Sequence, residues 1–218
     1  FLIIESKSEI RLPEKGMLGQ HALFDPALIE VPSLGKEIPI EEKEEYQLSI
    51  KRLGKLTHVF SPHCPLNTVA WKGTLSIWKI NVADIRPISC DRYHLPPSVH
   101  TTFVAQNFVV CSFLPRPLEN GDPTARKVPF YHSNIDYDEV IFYHSGEFFS
   151  REGIDAGMIT FHPQGIHHGP QDKAVEKSVE AHFTNEVAVM IDARNPLEIC
   201  ENATQVEFKD YWKSWQKS

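Results

Sequence analysis

The chain has 218 residues, of which 41% are hydrophobic, 11% aromatic and 23% charged, a composition that excludes disordered, collagen-like and coiled-coil chains. With 22 Lys and Arg against 29 Asp and Glu, the formal charge of -7 leaves no basic footprint for nucleic acid. No apolar run approaches the roughly 18 residues of a membrane span, and Cys64, Cys90, Cys111 and Cys200 are too scattered for a zinc ribbon or a redox pair.

Taken in chain order, the first residues, Phe1-Leu2-Ile3-Ile4-Glu5, read as strand interior, with neither an initiator Met nor a secretory leader. Residues 1–73 are short apolar pieces broken by Leu12-Pro13-Glu14-Lys15-Gly16 and by Glu30-Val31-Pro32-Ser33-Leu34-Gly35. They are expected to be the tail of a preceding domain plus a connecting region. The acidic run Glu41-Glu42-Lys43-Glu44-Glu45 is a solvated loop or turn. From residue 74 onward strand-like text dominates, at 74–80, 101–113, 139–143, 157–161 and 179–191. Turn signals such as Glu119-Asn120-Gly121-Asp122-Pro123 separate the runs, and Leu95-Pro96-Pro97-Ser98 and Leu114-Pro115-Arg116-Pro117 mark rigid connections. At the end, Phe208, Tyr211, Trp212 and Trp215 fall at i, i+3, i+4 and i+7, predicting a short C-terminal helix whose aromatic stripe is a packing face. Many short strands with few helical windows predict an all-β sandwich or barrel.

Chemistry-bearing residues concentrate in two stretches. The first runs from Tyr131-His132-Ser133-Asn134 through Asp136, Asp138 and Glu139 to Gly146; the second runs from Gly157 through His162-Pro163-Gln164-Gly165-Ile166-His167-His168 to Gly169-Pro170. Two neutral imidazoles and one carboxylate on one side of an ion leave the opposite positions open, the arrangement used by non-heme Fe(II) oxygenases. His132 and Glu139 flank a strand entry and His168 follows a tight Pro-x-Gly turn, so such a triad can be assembled from these two stretches.

The first stretch resembles the cupin signature His-x-His-x4-Glu-x6-Gly, with Asn134 in place of the second His, and the second resembles Gly-x5-Pro-x-Gly-x2-His through Gly157, Pro163, Gly165 and His168. Together with Val69-Ala70-Trp71-x-Gly73, Tyr93-His94-Leu95-Pro96-Pro97-Ser98 and the closing His168-Gly169-Pro170, they are similar to the homogentisate 1,2-dioxygenase family over nearly the whole chain. The resemblance implies a cupin jelly-roll barrel over residues 74–218, preceded in 1–73 by the remnant of a cupin-like domain, so that the chain reads as the C-terminal half of a longer two-domain enzyme. It further implies a cytoplasmic homo-oligomer, a trimer or hexamer, that uses Fe(II) and O2 to open the ring of a small aromatic substrate. With homogentisate, in phenylalanine and tyrosine catabolism, the product would be maleylacetoacetate.

Carried over by position, His132, Glu139 and His168 become iron ligands and His94 the general base. His162, Phe148 and His168 border the substrate. A histidine titrating near 6.5 can take a phenolic proton at neutral pH, which supports His94 independently. His167 is expected to point away from His168, and His21, His58, His63, His100, His144 and His182 to be structural or at the surface. The chain departs from the family in three places. Ser133 stands where the family has Arg, Phe148 where it has a substrate-contacting Tyr, and Asp138 at its usual His-to-carboxylate spacing. Glu139 is preferred because its offset to Gly146 is kept, with Asp138 as the alternative. These departures leave open a dioxygenase for another phenolic or hydroquinone acid, or a cupin that binds metal or ligand without turnover.

Overall fold

The structure, a computed structural model, describes residues 1–14, 25–33, 35–36, 39–67, 72, 77–128 and 130–216. His21, Val69, Ala70, Trp71, Gly73 and the start of the 74–80 run lie outside the described residues, as does the expected domain boundary at 73 and 74. The chain divides into two compact units, Ile29–Ile80 on the one hand and Phe1–Leu28 with Asn81–Ser218 on the other.

In the smaller unit, β1 (Tyr46–Arg52) and β2 (Lys55–Ser61) form an antiparallel hairpin. Leu53 and Gly54 both take positive φ, 50° and 73°, the backbone of a two-residue turn whose twist matches that of its strands. The acidic run before β1 is exposed throughout, as its charge requires. Lys79, from the 74–80 run, pairs with Glu30 as an isolated bridge.

The larger unit is built mostly of strands. In chain order these are β3 (Thr101–Val104), β4 (Phe108–Phe113), β5 (Arg116–Pro117), β6 (His132–Ser133), β7 (Asp138–Ser145), β8 (Ile159–His162) and β9 (His167–His168). After helix α1 (Asp172–Val179) come β10 (Phe183–Thr184) and β11 (Val187–Ala193), then the short helix α2 (Glu201–Thr204) and a 3-10 turn at Tyr211–Trp215. Five strands make one antiparallel sheet in the order β3-β4-β11-β7-β8, while β5 pairs with β10 and β6 with β9. The expected all-β, cupin-like class is what the chain adopts. No described helix is long and apolar enough to cross a membrane.

Two of the runs resolve differently from the expectation. The 101–113 run turns back on itself at Ala105, whose N–H donates to the Phe108 carbonyl, giving the β3–β4 hairpin. The 179–191 run begins as the end of α1, a helix with no apolar stripe to announce it: only Ala174 and Ser178 are buried along its length.

Strand alternation places the core and, at its end, the chemistry. Cys111, Ile141, Tyr143, Phe148, Ala188 and Met190 pack as one buried cluster. On β7 the residues facing it are Ile141 and Tyr143, and on β11 Met190 and Ala188, which are their direct cross-strand partners. One step further along the same face the pair is Glu139 and Asp192. The apolar core therefore ends in two facing carboxylates, the residues that most need a partner in a buried place.

Gly146 ends β7 with φ of 95°, and a Cβ there would collide with the Asn185 backbone carbonyl. The side-chain oxygen of Asn185 accepts from the Glu147 N–H at 2.8 Å, locking the same corner. The glycine of the first motif is thus required twice over, by its backbone conformation and by its neighbour.

Candidate metal centre

Glu139 enters the site from β7, and across the β7–β8 ladder its partner is His162. His132 and His168 are cross-strand partners on β6 and β9. Four side chains from four strands thus meet at one end of the core. The carboxylate of Glu139 and one nitrogen each of His162 and His168 lie within 4.8 Å of one another, all three buried. The His132 ring stands 4.4 Å from that of His168, centroid to centroid.

Hydrogen bonding settles which nitrogen of each ring is free. His162 Nδ1 lies 2.7 Å from Glu139 Oε1, and a carboxylate this acidic only accepts, so Nδ1 carries the proton. In the same way His132 Nδ1 donates to the Phe130 carbonyl at 2.7 Å and His168 Nδ1 to the Ile166 carbonyl at 3.2 Å. Each ring therefore turns Nε2 outward as a lone pair, the tautomer of a metal-ligating histidine whose other nitrogen is anchored. The Nε2 atoms of His162 and His168 are buried with no hydrogen-bond partner, and His168 Nε2 is 3.7 Å from Glu139 Oε2, too long for a hydrogen bond. Two buried lone pairs beside a carboxylate suit a cation, and the N2O donor set suits a first-row divalent metal.

Ring orientation separates the histidines. His162 and His168 are stacked, 4.5 Å apart with only 5° between their planes. The rings of His132 and His168 are inclined by 58°, and His132 offers no atom to the set of three whose ligand atoms lie within 4.8 Å of one another, which is Glu139, His162 and His168.

Burial pushes the Glu139 carboxyl upward, but the hydrogen bond from His162 and the nearness of His168 outweigh it and hold the group well below the usual carboxylate range. Burial drives His162 downward more strongly than Glu139 raises it, keeping that ring neutral. For His168 burial also acts downward, but Glu139 prevails and the net direction is up. Asp192 has a buried oxygen without a partner; burial first, and the Glu139 charge second, push its carboxyl up to about 7.

Asp138 is placed differently. One of its oxygens accepts from the Gln164 N–H at 2.8 Å and the other from the Leu197 N–H at 2.7 Å, so both are occupied in tying down the Pro-x-Gly turn and the chain beyond β11. Asn134, at the position of the signature's second His, accepts from the Asp136 and Tyr137 N–H groups and shapes a turn. Ser133 donates to the Gly165 carbonyl. Phe148 is buried against Tyr143, ring centroids 4.9 Å apart. His94 pairs with the buried Glu119, Nδ1 to Oε1 at 3.4 Å, and the structure shows no contact between it and the His–Glu cluster. His167 is exposed beside Tyr131, while His168 is buried. Of the remaining histidines, His58, His144 and His182 bond to neighbouring polar side chains, and buried His100 packs on Phe113.

Of the C-terminal aromatic stripe only Tyr211 and Trp215 turn inward, on a 3-10 turn, while Phe208 and Trp212 are exposed. Trp215 packs edge-on to His162 at 6.4 Å and edge-on to Tyr211 at 4.9 Å, and donates its indole N–H to the Gly169 carbonyl at 3.0 Å. Gly169, with φ of 151°, has Tyr131 so near that a Cβ would meet its Cα at 2.9 Å. A cavity of about 1160 Å³ runs outside this wall, bordered by Phe130, Tyr131, Pro170, Gln171 and Trp215; none of the four clustered side chains lines it. Sequence reasoning missed Asp192, which faces Glu139, and Glu119, which pairs with His94. Asp192 did carry a signal, an acid at the parity of buried Ala188 and Met190 on β11.

A mostly-strand domain whose apolar core ends in a buried, metal-competent His–Glu cluster belongs to the cupin-like metalloproteins. Residues 87–218 match the family described as "Homogentisate 1,2-dioxygenase C-terminal", and the chain belongs to that family. It is 36% identical over 223 residues to a protein of Saccharolobus solfataricus provisionally named a dioxygenase, covering 99% of this chain and 56% of that protein. Against homogentisate 1,2-dioxygenases of Rhizobium leguminosarum bv. trifolii and Sinorhizobium fredii identity is 26%, covering 95% of this chain and 48% of each relative. The chain spans about half the length of the curated relatives it matches.

Proposed function

We propose that this chain carries the active site of a non-heme Fe(II) dioxygenase that opens the ring of a phenolic acid, homogentisate or a close relative. His132, Glu139 and His168 would hold the iron, with His162 as the hydrogen-bond partner that orients Glu139 and faces the substrate. The observation that carries this reading is the buried Glu139 carboxylate with the partnerless Nε2 atoms of His162 and His168 beside it and the His132 ring next to His168. Bound there, Fe(II) would supply a redox centre and template for the ring and O2.

The protein's own groups do the rest. Glu139, held ionised by His162, offers a charge to the metal without first losing a proton. Trp215, held by its bond to the Gly169 carbonyl, packs on His162 and would help keep water from the cluster. His94, steadied by Glu119, would take a proton from the phenol. Since Phe148 is packed in the core and has no hydroxyl, the substrate's polar side chain would need other donors, which favours keeping a related phenolic acid beside homogentisate as the substrate.

The test is anaerobic loading with Fe(II), followed by oxygen uptake with homogentisate, gentisate and hydroquinone. Uptake with at least one, abolished in H168A, is expected; none with any of the three overturns the proposal.

A further inference from the structure

Two hydrogen-bond donors near the cluster have nothing to bind. Arg151 is 9% exposed and its Nε is buried without a partner; of its remaining nitrogens, one donates to the neighbouring Ser150 carbonyl at 2.9 Å. The Tyr211 hydroxyl is likewise buried and unpartnered. Leaving such groups unpaired costs about 1 to 3 kcal/mol each, so a ligand that pairs with them would be favoured by that amount.

Hydrogen bonds link the two segments that carry these donors. The residue after Arg151 donates its backbone N–H to Gln171 Oε1 at 3.1 Å, and the other end of the same amide donates to Ser214 Oγ at 3.0 Å. Ser214 in turn donates to the Tyr211 carbonyl at 2.7 Å. One buried glutamine thus ties the Arg151 turn to the C-terminal 3-10 turn. Tyr211 packs edge-on to Trp215, which packs edge-on to His162, and the Arg151 charge is felt at His162, His168, Tyr143, Tyr211 and the Glu186 carboxylate, which itself pairs with Arg116. A guanidinium N–H and a phenol O–H, both without acceptors, suit an anion with two oxygens.

We propose that Arg151 and Tyr211 form the carboxylate-recognising end of the site, donating to the acidic side chain of an aryl acid whose ring lies beside His162 and Trp215. This rests on the phenolic-acid reading above and adds the residues that select for the acid. Tyr211, delivered from the far end of the chain, supplies the hydroxyl that Phe148 lacks.

Equilibrium binding of 4-hydroxyphenylacetate and of p-cresol, the same ring without the carboxylate, tests it on the anaerobic iron-loaded chain, where no ring is opened. The wild type should prefer the acid, and Y211F and R151Q should each weaken acid binding by about tenfold or more while changing p-cresol binding less than about twofold. Y211F removes only an unpaired oxygen, so without ligand its melting temperature should equal or exceed that of the wild type; a structural hydroxyl would show the opposite. Equal losses for both ligands in Y211F, no loss in Y211F, or a wild type indifferent to the carboxylate overturns the proposal. Oxygen uptake with hydroquinone, which has no carboxylate, would leave the dioxygenase reading standing in any of those cases.

Discussion

Adjacent positions on β7 carry two carboxylates, Asp138 and Glu139, with opposite fates, and their environments explain the difference. Asp138 faces away from the core and accepts two backbone N–H bonds; D138A should cost about 3 kcal/mol in urea unfolding, because both amides lose a charged acceptor. Glu139 faces the core and meets histidines instead. For Asp192 burial first and the Glu139 charge second outweigh the opposing pull of His168, and its folded pKa of about 7 stands above the ordinary 3.8. A carboxyl raised on folding is stabilising relative to higher pH: its contribution is full below 3.8 and is lost as pH rises to about 7. The metal-free D192N variant, which never ionises, should therefore melt above the wild type, with a gain roughly twice as large at pH 8 as at pH 5.5. A gain independent of pH would contradict the placement of Asp192 beside Glu139.

At the scale of elements, the glycines of the two hairpin corners differ in a way that can be measured. Gly54 and Gly146 both have positive φ, but a Cβ at Gly54 meets nothing within 4 Å while one at Gly146 strikes the Asn185 backbone. G54A should cost about 1 kcal/mol, the backbone preference alone, and G146A more than about 3 kcal/mol, as read by chemical unfolding. Equal costs would mean that the β7 corner relaxes.

The same contrast shows what the sequence could and could not reveal. The paired motifs were legible because each sets a turn beside chemistry-bearing residues at a fixed spacing, so the resemblance could point to His132, Glu139 and His168, which the fold brings from β6, β7 and β9 to one end of the core. Helix α1 was not, since it buries only Ala174 and Ser178. Arg151 and Tyr211 were not, since their role depends on Gln171 drawing together segments some sixty residues apart, as the bonds to Glu152 and Ser214 show. Trp215 was visible as an aromatic in a stripe, but that it packs against His162 is a tertiary fact.

For the molecule as a whole, the strands bring four side chains from β6, β7, β8 and β9 to the polar end of one core, and the C-terminal turn closes over them. The proposed ligand set puts an ion among His132, Glu139 and His168 with His162 outside it, whereas the three tightest-clustered side chains are Glu139, His162 and His168. The direct measurement is iron retained per chain after anaerobic loading with Fe(II) and gel filtration, compared across the wild type, H132A, H168A and H162Q. About one iron per chain is expected in the wild type, loss of nearly all of it in H132A and H168A, and retention of most of it in H162Q, since outer partners tune affinity by about 10 to 100-fold without abolishing a tight site. Full retention in H132A together with loss in H162Q would contradict the ligand set and move the metal to the stacked pair.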